Sequence, residues 1–215
     1  MENMKIGILG SGPVGQSLAT GFVKYGYKVM IGTGNPSKLN EWKQDIEIRV
    51  GSFRETATFG DIIVIALKGS AALDVLKDLP PESLSNKTII DTTNPIADVP
   101  PVNGVLSFFT QQGKSFMEEL QESIPDAFFV KAFNSIGSAH MVNPEFKGGK
   151  PTMFICGNST EAKREVSVIL TLFGWDVEDM GMAEAARAIE PLCILWCIPG
   201  FKNNEWNHAF HLLKK

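Results

Sequence analysis

The fold is decided close to the amino terminus by residues 5–15, which read KIGILGSGPVG. The strand-like run Lys5–Leu9 leads directly into glycines spaced G-x-G-x-x-G at Gly10, Gly12 and Gly15. In the dinucleotide-binding form of this motif, the first glycine permits a tight turn and the second lets the backbone approach a pyrophosphate. The third lets the following helix pack closely on the sheet, and that helix presents its free N–H groups to the anion. The stretch therefore predicts a βαβ unit that binds the pyrophosphate of a dinucleotide.

Strand and helix patterns alternate along the rest of the chain. The continuously apolar run at residues 62–67 is typical of a strand buried on both faces of a parallel sheet. Residues 93–113 carry no clear period, and we predict a functional loop there. The other strand-like runs are residues 28–31, 46–50, 88–92, 128–132, 152–156 and 175–178, and the further helical patterns of this part are residues 36–45, 71–79, 115–122 and 159–173. The alternation predicts an α/β fold with a doubly wound, mostly parallel sheet of the Rossmann type.

The carboxyl-terminal part of the chain has a different pattern. An apolar helix is predicted over residues 183–197, with its end at Pro199-Gly200. The tail that follows is amphipathic, which predicts a last short helix. We divide the chain into a Rossmann dinucleotide-binding domain, residues 1–180, and a small C-terminal helical segment, residues 181–215, that closes the cleft.

Composition and charge exclude several classes of function. The formal net charge is -4 with four scattered arginines, which is not the basic footprint of a nucleic-acid-binding protein. No apolar run reaches the ~20 residues of a membrane span, and the opening strand leaves no room for a signal peptide. We therefore expect a soluble, cytoplasmic protein with no membrane partner. The three cysteines and three histidines lack ligand spacing, so we expect free thiols and no metal site.

The turn after the second predicted strand bears on the choice of cofactor. An NAD site places an acid there to bind the ribose hydroxyls, whereas residues 32–35 read GTGN and carry no acid. Thr33 and Asn35 can donate hydrogen bonds, and Lys38 can supply positive charge to a 2′-phosphate. Although no arginine is present to hold that phosphate through two bonds, these residues predict NADP(H) rather than NAD. The alternative for Lys38 is an ordinary solvated surface lysine.

The segments that leave the carboxyl ends of the middle strands indicate the chemistry, because ligands of such sheets lie there. Lys68 is the only ionisable group in these segments, which are residues 66–69, 92–95 and 133–137. Hydrolysis or acyl transfer requires a nucleophile with a base, or a metal. Hydride transfer between two bound rings requires orientation and exclusion of water instead. We predict hydride transfer without a catalytic side chain; Asn134 and Ser135 either orient the acceptor or the nicotinamide amide, or satisfy their own loop backbone.

Several blocks of sequence carry a resemblance to a known family; they are residues 4–9, 10–15, 92–95, 130–137 and 188–192. Together they resemble the family of NADP oxidoreductases typified by coenzyme F420-dependent NADP reductase, and the same module is similar to the cytosolic oxidoreductase domain of the STEAP metalloreductases. The resemblance implies hydride exchange between NADPH and a flavin or deazaflavin such as F420 as co-substrate, and often a homodimer. In this chain Gly34 stands where the F420-dependent enzymes carry an arginine for the 2′-phosphate.

The residue patterns and the resemblance together define the predicted site. The resemblance implies that Ser11, Pro13 and Val14 line the dinucleotide and that Thr33 and Lys38 bind the 2′-phosphate. It also implies that residues 134–137 border the acceptor ring. The predicted cofactor-binding residues are Gly10, Ser11, Gly12, Pro13, Val14, Gly15, Thr33, Asn35, Lys38, Ala66, Leu67, Asn94 and Asn134. The predicted residues for the small-molecule acceptor are Ser135, Ile136 and Gly137.

Two other functions stay open from the sequence. One is an imine or keto-acid reductase built like pyrroline-carboxylate reductase, although those enzymes append a substantial helical domain and few residues follow Asp179 here. The other is a non-catalytic NADP(H)-sensing module, which also needs few reactive side chains. Turnover with a series of acceptors distinguishes an enzyme from a sensor.

Overall fold

Six parallel strands form one sheet in the computed structural model, which describes residues 4–39, 42 and 47–215. These strands are β1 (Lys5–Leu9), β2 (Lys28–Gly32), β3 (Arg49–Gly51), β4 (Ile62–Ile65), β5 (Thr88–Asp91) and β6 (Phe128–Lys131). Their spatial order is β3-β2-β1-β4-β5-β6, and all neighbouring pairs are parallel. The chain returns from the β3 edge to pair β4 with β1, so the winding reverses between these two strands. The predicted doubly wound Rossmann sheet is therefore confirmed.

Helices cover both faces of this sheet. They are α1 (Pro13–Lys24), α2 (Phe53–Phe59), α3 (Gly69–Lys77), α4 (Phe116–Ser123), α5 (Thr160–Leu172), α6 (Ala186–Ile189) and α7 (Pro191–Asn203). Local sequence explains where two of them begin. Ser52 and Ser115 each accept the backbone N–H of the residue three positions on, whose carboxylate bonds back to the serine N–H. Such capping boxes fix the first turns of α2 and α4.

The core consists of two large apolar clusters, one on each face of the sheet. Alternate residues of the strands point to opposite faces, and both sets are apolar, which is why the strand sequences are continuously hydrophobic. On one face the strand residues Ile6, Ile8, Val64, Ile90 and Val130 pack with Leu18 and Phe22 of α1 and Val166 and Leu170 of α5. On the other face the strand residues Leu9, Ile63, Ile65, Ile89 and Phe129 pack with Leu76 of α3 and Leu120 of α4.

A two-stranded parallel ladder lies beside the carboxyl end of β6. It consists of β7 (Thr152–Ile155) and β8 (Asp176–Asp179), which α5 connects. The backbone N–H of Lys131 donates to the carbonyl of Cys156 at 3.0 Å, and this antiparallel bridge ties the ladder to the main sheet.

The C-terminal part is helical, but its details differ from the sequence prediction. The predicted helix over residues 183–197 is a 3-10 turn (Ala183–Ala185) followed by α6 and α7, and α7 continues through Pro199 to Asn203. Proline removes only one helical hydrogen bond, and here the ring of Trp206 lies directly against Gly200. Packing of the tail on the last turns of α7 therefore outweighs the tendency of Pro199-Gly200 to end the helix.

The predicted helix in the tail is wrong. Residues 204–215 contain no helix, and they run along the start of β7 instead. The N–H of Thr152 donates to the carbonyl of Phe210 at 2.9 Å, and the N–H of Leu212 donates to the hydroxyl of Thr152 at 3.0 Å. These long-range hydrogen bonds pair the backbone N–H groups of Thr152 and Leu212 and hold the tail in an extended course.

One of two connections between strands departs from its prediction, and the other, residues 93–113, contains no helix or strand, as predicted. The helix predicted over residues 36–45 is a 3-10 turn at Pro36–Leu39, and most of residues 40–46 lie outside the described residues. Residues 93–113 form a loop in which isolated β-bridges join Ile96 to Phe108 and Val102 to Val105. In the parts of the chain that are described, no helix has the length and apolar character needed to cross a membrane.

Candidate functional site

The glycine loop brings the ends of β1 and β4 against the start of α1. Gly10 has a φ of +124°, and a Cβ at this position would lie well under 3.0 Å from the carbonyl oxygen of Ala66. A Cβ on Gly15 would lie equally close to the carbonyl oxygen of Gly10. No side chain fits at either position, so these two glycines are explained by close backbone packing.

Gly12 has a different reason to be a glycine. A Cβ there would meet nothing within 4 Å, so the position faces open space rather than protein. Gly12 is the N-cap of α1 and supplies no side-chain acceptor, and Pro13 occupies the first helical position. The first-turn N–H groups of a helix have no partner within the helix, and an anion is their natural acceptor. The open space at Gly12, at the start of α1, therefore fits the pyrophosphate of a dinucleotide.

The turn after β2 is tied to this loop through hydroxyl groups. The Oγ of Ser11 and the Oγ1 of Thr33 lie 2.8 Å apart, and the backbone N–H of Asn35 donates to the Oγ1 of Thr33 at 3.1 Å. Thr33 is buried, so its hydroxyl braces the turn and is not freely available to a phosphate. A Cβ on Gly34 would meet nothing within 4 Å. The predicted role of the Lys38 side chain lies outside the described residues.

The end of β4 contributes backbone and an exposed lysine. The N–H of Ala66 donates to the carbonyl of Leu9 at 2.8 Å, and Leu67 packs partly against the core. Lys68 forms an ion pair with Asp98, which lies in the loop after β5. It is the ionisable residue that the sequence places at this edge. Its side chain is well exposed, so this lysine is engaged with the surface loop.

Two amide side chains meet where β5 and β6 end. The Nδ2 of Asn94 donates to the backbone carbonyl of Asn134 at 2.8 Å, and the Nδ2 of Asn134 donates to the Oδ1 of Asn94 at 3.2 Å. The Nδ2 of Asn134 also donates to the carbonyl of Ile189 at 2.9 Å. Among the described residues the buried Oδ1 of Asn134 has no hydrogen-bond partner. A buried acceptor without a partner is costly unless a ligand completes it.

A fully buried ion cluster lies directly beneath this amide pair, and the sequence reasoning did not find it. The Nζ of Lys131 lies 2.6 Å from the Oδ2 of Asp91 and 2.9 Å from the Oε1 of Glu190, and it donates to the carbonyl of Thr93 at 2.9 Å. All three ionic side chains are essentially inaccessible to solvent. In the sequence, the cluster is indicated only by the charged residues that end two apolar strands, Asp91 at the end of β5 and Lys131 at the end of β6.

The environment keeps Lys131 charged. Burial disfavours the charged ammonium, but the carboxylates of Asp91 and Glu190 more than offset it, so the pKa of Lys131 lies above its ordinary value. Glu190 also accepts the N–H groups of Phe116 and Met117, the first two residues of α4, at 2.9 and 3.0 Å. The cluster thus connects the sheet, α4 and the junction of α6 with α7.

The predicted acceptor segment lies next to an aromatic side chain that the sequence reasoning left unassigned. Ser135 and Ile136 are buried, and a Cβ on Gly137 would lie 3.2 Å from the Cη2 of Trp196. The Nε1 of Trp196 donates to the carbonyl of His208 at 2.9 Å, which fixes the plane of the indole ring. Gly137, at the end of the predicted acceptor segment, therefore lies against the ring of Trp196.

The thiol of Cys156, whose backbone carbonyl accepts from the N–H of Lys131, is not a reactive group. Burial raises the pKa of Cys156 to about 12, so this thiol stays protonated and is a poor nucleophile. Within the described residues, no group of three or more His, Cys, Asp or Glu side chains is placed to hold a metal ion.

Sequence comparison finds that the chain is similar to oxidoreductases. Residues 5–95 match the family described as NADP oxidoreductase, coenzyme F420-dependent. The chain is 31% identical over 204 residues to the metalloreductase STEAP3 of Rattus norvegicus, an alignment that covers 92% of this chain and 39% of that protein. The chain therefore spans less than two fifths of the length of this curated relative.

Solved structures agree with the fold. A candidate F420-dependent NADP reductase from Arthrobacter sp. FB24 superposes with a TM-score of 0.90 at 28% identity, covering 98% of this chain and 100% of that chain. A reductive aminase from Aspergillus terreus gives a TM-score of 0.67 at 17% identity, covering 93% of this chain and 62% of that chain. This second likeness concerns the fold alone, whereas the first extends over the C-terminal helical part as well.

Proposed function

We propose, from the match of residues 5–95 to the coenzyme F420-dependent NADP oxidoreductase family, that the chain transfers a hydride between NADP(H) and a flavin or deazaflavin acceptor. The observation that carries the proposal is the uncapped start of α1 at Gly12, where a Cβ would meet nothing within 4 Å. Serine side chains cap α2 and α4, whereas α1 has no side-chain cap, and its uncapped N–H groups coincide with the open space at Gly12. A pyrophosphate would complete the missing acceptor.

The turn after β2 supports NADP(H) over NAD(H). It carries no carboxylate to bind the ribose hydroxyls or to repel a 2′-phosphate, and the space at Gly34 is open. We propose that Asn35 and Lys38 contact the 2′-phosphate from this turn. Thr33 would contribute by holding the turn through Ser11 rather than by a free hydroxyl.

The edge formed by β5 and β6 supports a reaction that needs orientation rather than acid–base chemistry. When bound, NADPH supplies the hydride. The Oδ1 of Asn134 would accept an N–H of the nicotinamide carboxamide, because this oxygen is buried and has no partner within the described residues. Ser135–Gly137 and Trp196 would form the wall against which the acceptor ring lies. Burial of Thr93 and Asn134 keeps water away from this edge, which favours hydride transfer over side reactions.

Two measurements test the proposal. NADPH and NADH are titrated against the protein by the fluorescence of the nicotinamide, and we expect NADPH to bind at least about tenfold tighter, as a charged phosphate contact would give. Equal affinities, or tighter NADH, contradict the cofactor assignment. Oxidation of NADPH is then followed with F420, FMN, FAD, riboflavin and a ferric chelate.

The acceptor series also decides between the remaining functions. Turnover with a flavin or with F420 supports the proposed reaction. Tight binding of NADPH without turnover on any acceptor supports a sensing module instead. Reduction of an imine formed from a ketone and an amine, with no flavin turnover, supports the imine-reductase alternative.

A further inference from the structure

The amide of Asn134 is held in one orientation by its surroundings. Its Nδ2 faces the carbonyl of Ile189 and the Oδ1 of Asn94, at 2.9 and 3.2 Å. A backbone carbonyl only accepts hydrogen bonds, so the NH2 group of Asn134 has to point toward Ile189. The Oδ1 is consequently turned to the other side, where it is buried without a partner among the described residues. The position of the Ile189 carbonyl therefore decides where this acceptor points.

The ion cluster fixes the segments that carry these groups. Glu190 follows Ile189 directly, and its carboxylate is bound by Lys131 and by two N–H groups of α4. On the other side, the Oδ1 of Asp91 accepts both the N–H and the hydroxyl of Thr93, at 2.9 and 2.7 Å. Lys131 also binds the carbonyl of Thr93, and Asn94 is the next residue. One ammonium group thus restrains the backbone on both sides of the Asn94–Asn134 pair.

We propose that Lys131 is a positioning residue that, with Asp91 and Glu190, turns the Oδ1 of Asn134 toward the carboxamide of bound nicotinamide. The inference rests on the proposed function, because it assigns that buried oxygen to the cofactor. It goes beyond it by giving a role to three residues that would not touch the cofactor themselves. The role differs from simple stabilisation, since it predicts an effect on the nicotinamide end of the ligand alone.

The test compares NADPH with 2′-phospho-ADP-ribose, which has the same adenosine and pyrophosphate but no nicotinamide. Loss of Lys131 alone would leave two buried carboxylates unpaired and endanger folding. We therefore use the neutral triple variant Lys131→Met, Asp91→Asn, Glu190→Gln, which keeps the size of each side chain. We expect its affinity for NADPH to fall about tenfold and its affinity for 2′-phospho-ADP-ribose to stay within twofold of wild type.

A double-mutant cycle separates positioning from general loosening of the fold. Asn134→Ala should itself weaken NADPH about tenfold, and the triple substitution added to it should cause no further loss. Arg187→Gln serves as the matched control, because the Arg187 side chain also connects α4 to the C-terminal part, but it does so through Glu118 and not through the amide pair or the Lys131 cluster. It should leave both affinities unchanged.

Each outcome has a defined meaning. Unchanged NADPH binding in the triple variant, equal weakening of both ligands, or additive losses in the cycle overturn the role of Lys131. If the triple variant does not fold, Glu190→Gln alone is judged by the same two ligands and the same criteria. If wild-type protein binds neither ligand, the proposed function itself fails, and that result is distinct from every outcome above.

Discussion

Gly15 of α1 approaches Gly10 so closely that a Cβ on Gly15 would lie well under 3.0 Å from the carbonyl oxygen of Gly10. Gly12, between them, has no such neighbour. The same motif thus contains two glycines required by packing and one, Gly12, that packing does not require, and substitution separates the two kinds.

Gly12→Ala and Gly15→Ala should affect different properties: the first should weaken binding of NADPH, and the second should lower the stability of the fold. Gly12 has a φ of -77°, which alanine adopts without strain, so Gly12→Ala should fold normally yet bind NADPH at least about tenfold more weakly. Gly15→Ala should lower the free energy of unfolding by about 3 kcal/mol, because backbone has to move to make room. Chemical denaturation and NADPH titration of both variants check this. Normal NADPH binding by Gly12→Ala would contradict the proposal that the pyrophosphate binds at Gly12.

Gly34→Arg should strengthen the preference for NADPH. The position is open, so a guanidinium could reach a 2′-phosphate and bind it through two hydrogen bonds. We expect a gain of about tenfold in NADPH affinity, roughly 1.4 kcal/mol, with no gain for NADH. Gly34→Ala is the control and should change neither. An equal gain for both cofactors would show that the arginine acts on another part of the dinucleotide.

The contact between Arg187 and Glu118 should appear as acid sensitivity. Hydrogen bonds from Arg187 hold the pKa of Glu118 at about 2, below its ordinary 4.5. A carboxylate whose pKa is lowered by folding adds stability above its unfolded value, and that stability is lost as the pH falls toward 2. Wild type should therefore exceed Arg187→Gln in stability above about pH 5, and the difference should vanish near pH 2.

Urea unfolding of both proteins across this range provides the measurement. Arg164→Gln is the matched control, since Arg164 pairs with Glu161 but both side chains are largely exposed. It should cost little at any pH. A constant difference between wild type and Arg187→Gln down to pH 2 would mean that lost packing, rather than charge, causes the effect.

The three cysteines should differ in their rates of alkylation. Cys156 is fully buried with a raised pKa, whereas Cys197 is slightly exposed and its hydrogen bond with Cys193 lowers its pKa. Iodoacetamide at pH 8 should therefore modify Cys197 before Cys156 in the folded protein. Peptide mapping by mass spectrometry gives the order, and unfolded protein, in which all three react, is the reference. Faster labelling of Cys156 would contradict the burial described for it.

Local patterns were sufficient to predict the core of this fold. The strand, glycine turn and helix at residues 5–24 depend on neighbouring residues, and so do the apolar runs of the buried strands. The tail and the ion cluster depend on partners distant in the chain. Asp91, Lys131 and Glu190 meet only because β5 and β6 are adjacent and α4 and the α6–α7 junction cover their ends. The pairing of the tail with Thr152 is likewise invisible to an amphipathic pattern.

The same distinction, between features set by neighbouring residues and features set by distant partners, applies within the candidate site. The spacing of Gly10, Gly12 and Gly15 carries its own geometric meaning, so their positions follow from sequence. The acid-free turn is also visible in sequence, but the engagement of Thr33 with Ser11 is not. The unpartnered oxygen of Asn134 required knowledge of every group around it, including the Ile189 carbonyl from a distant segment.

The strand-like contact between the tail and β7 has a consequence for the behaviour of the protein in concentrated solution. β7 pairs with β8 on one side, and the tail occupies donors and acceptors at its start, near Thr152. Exposed strand edges recruit other strands and promote aggregation. The tail thus covers the start of β7 at Thr152, and an affinity tag that displaces it should increase aggregation without altering the Rossmann sheet.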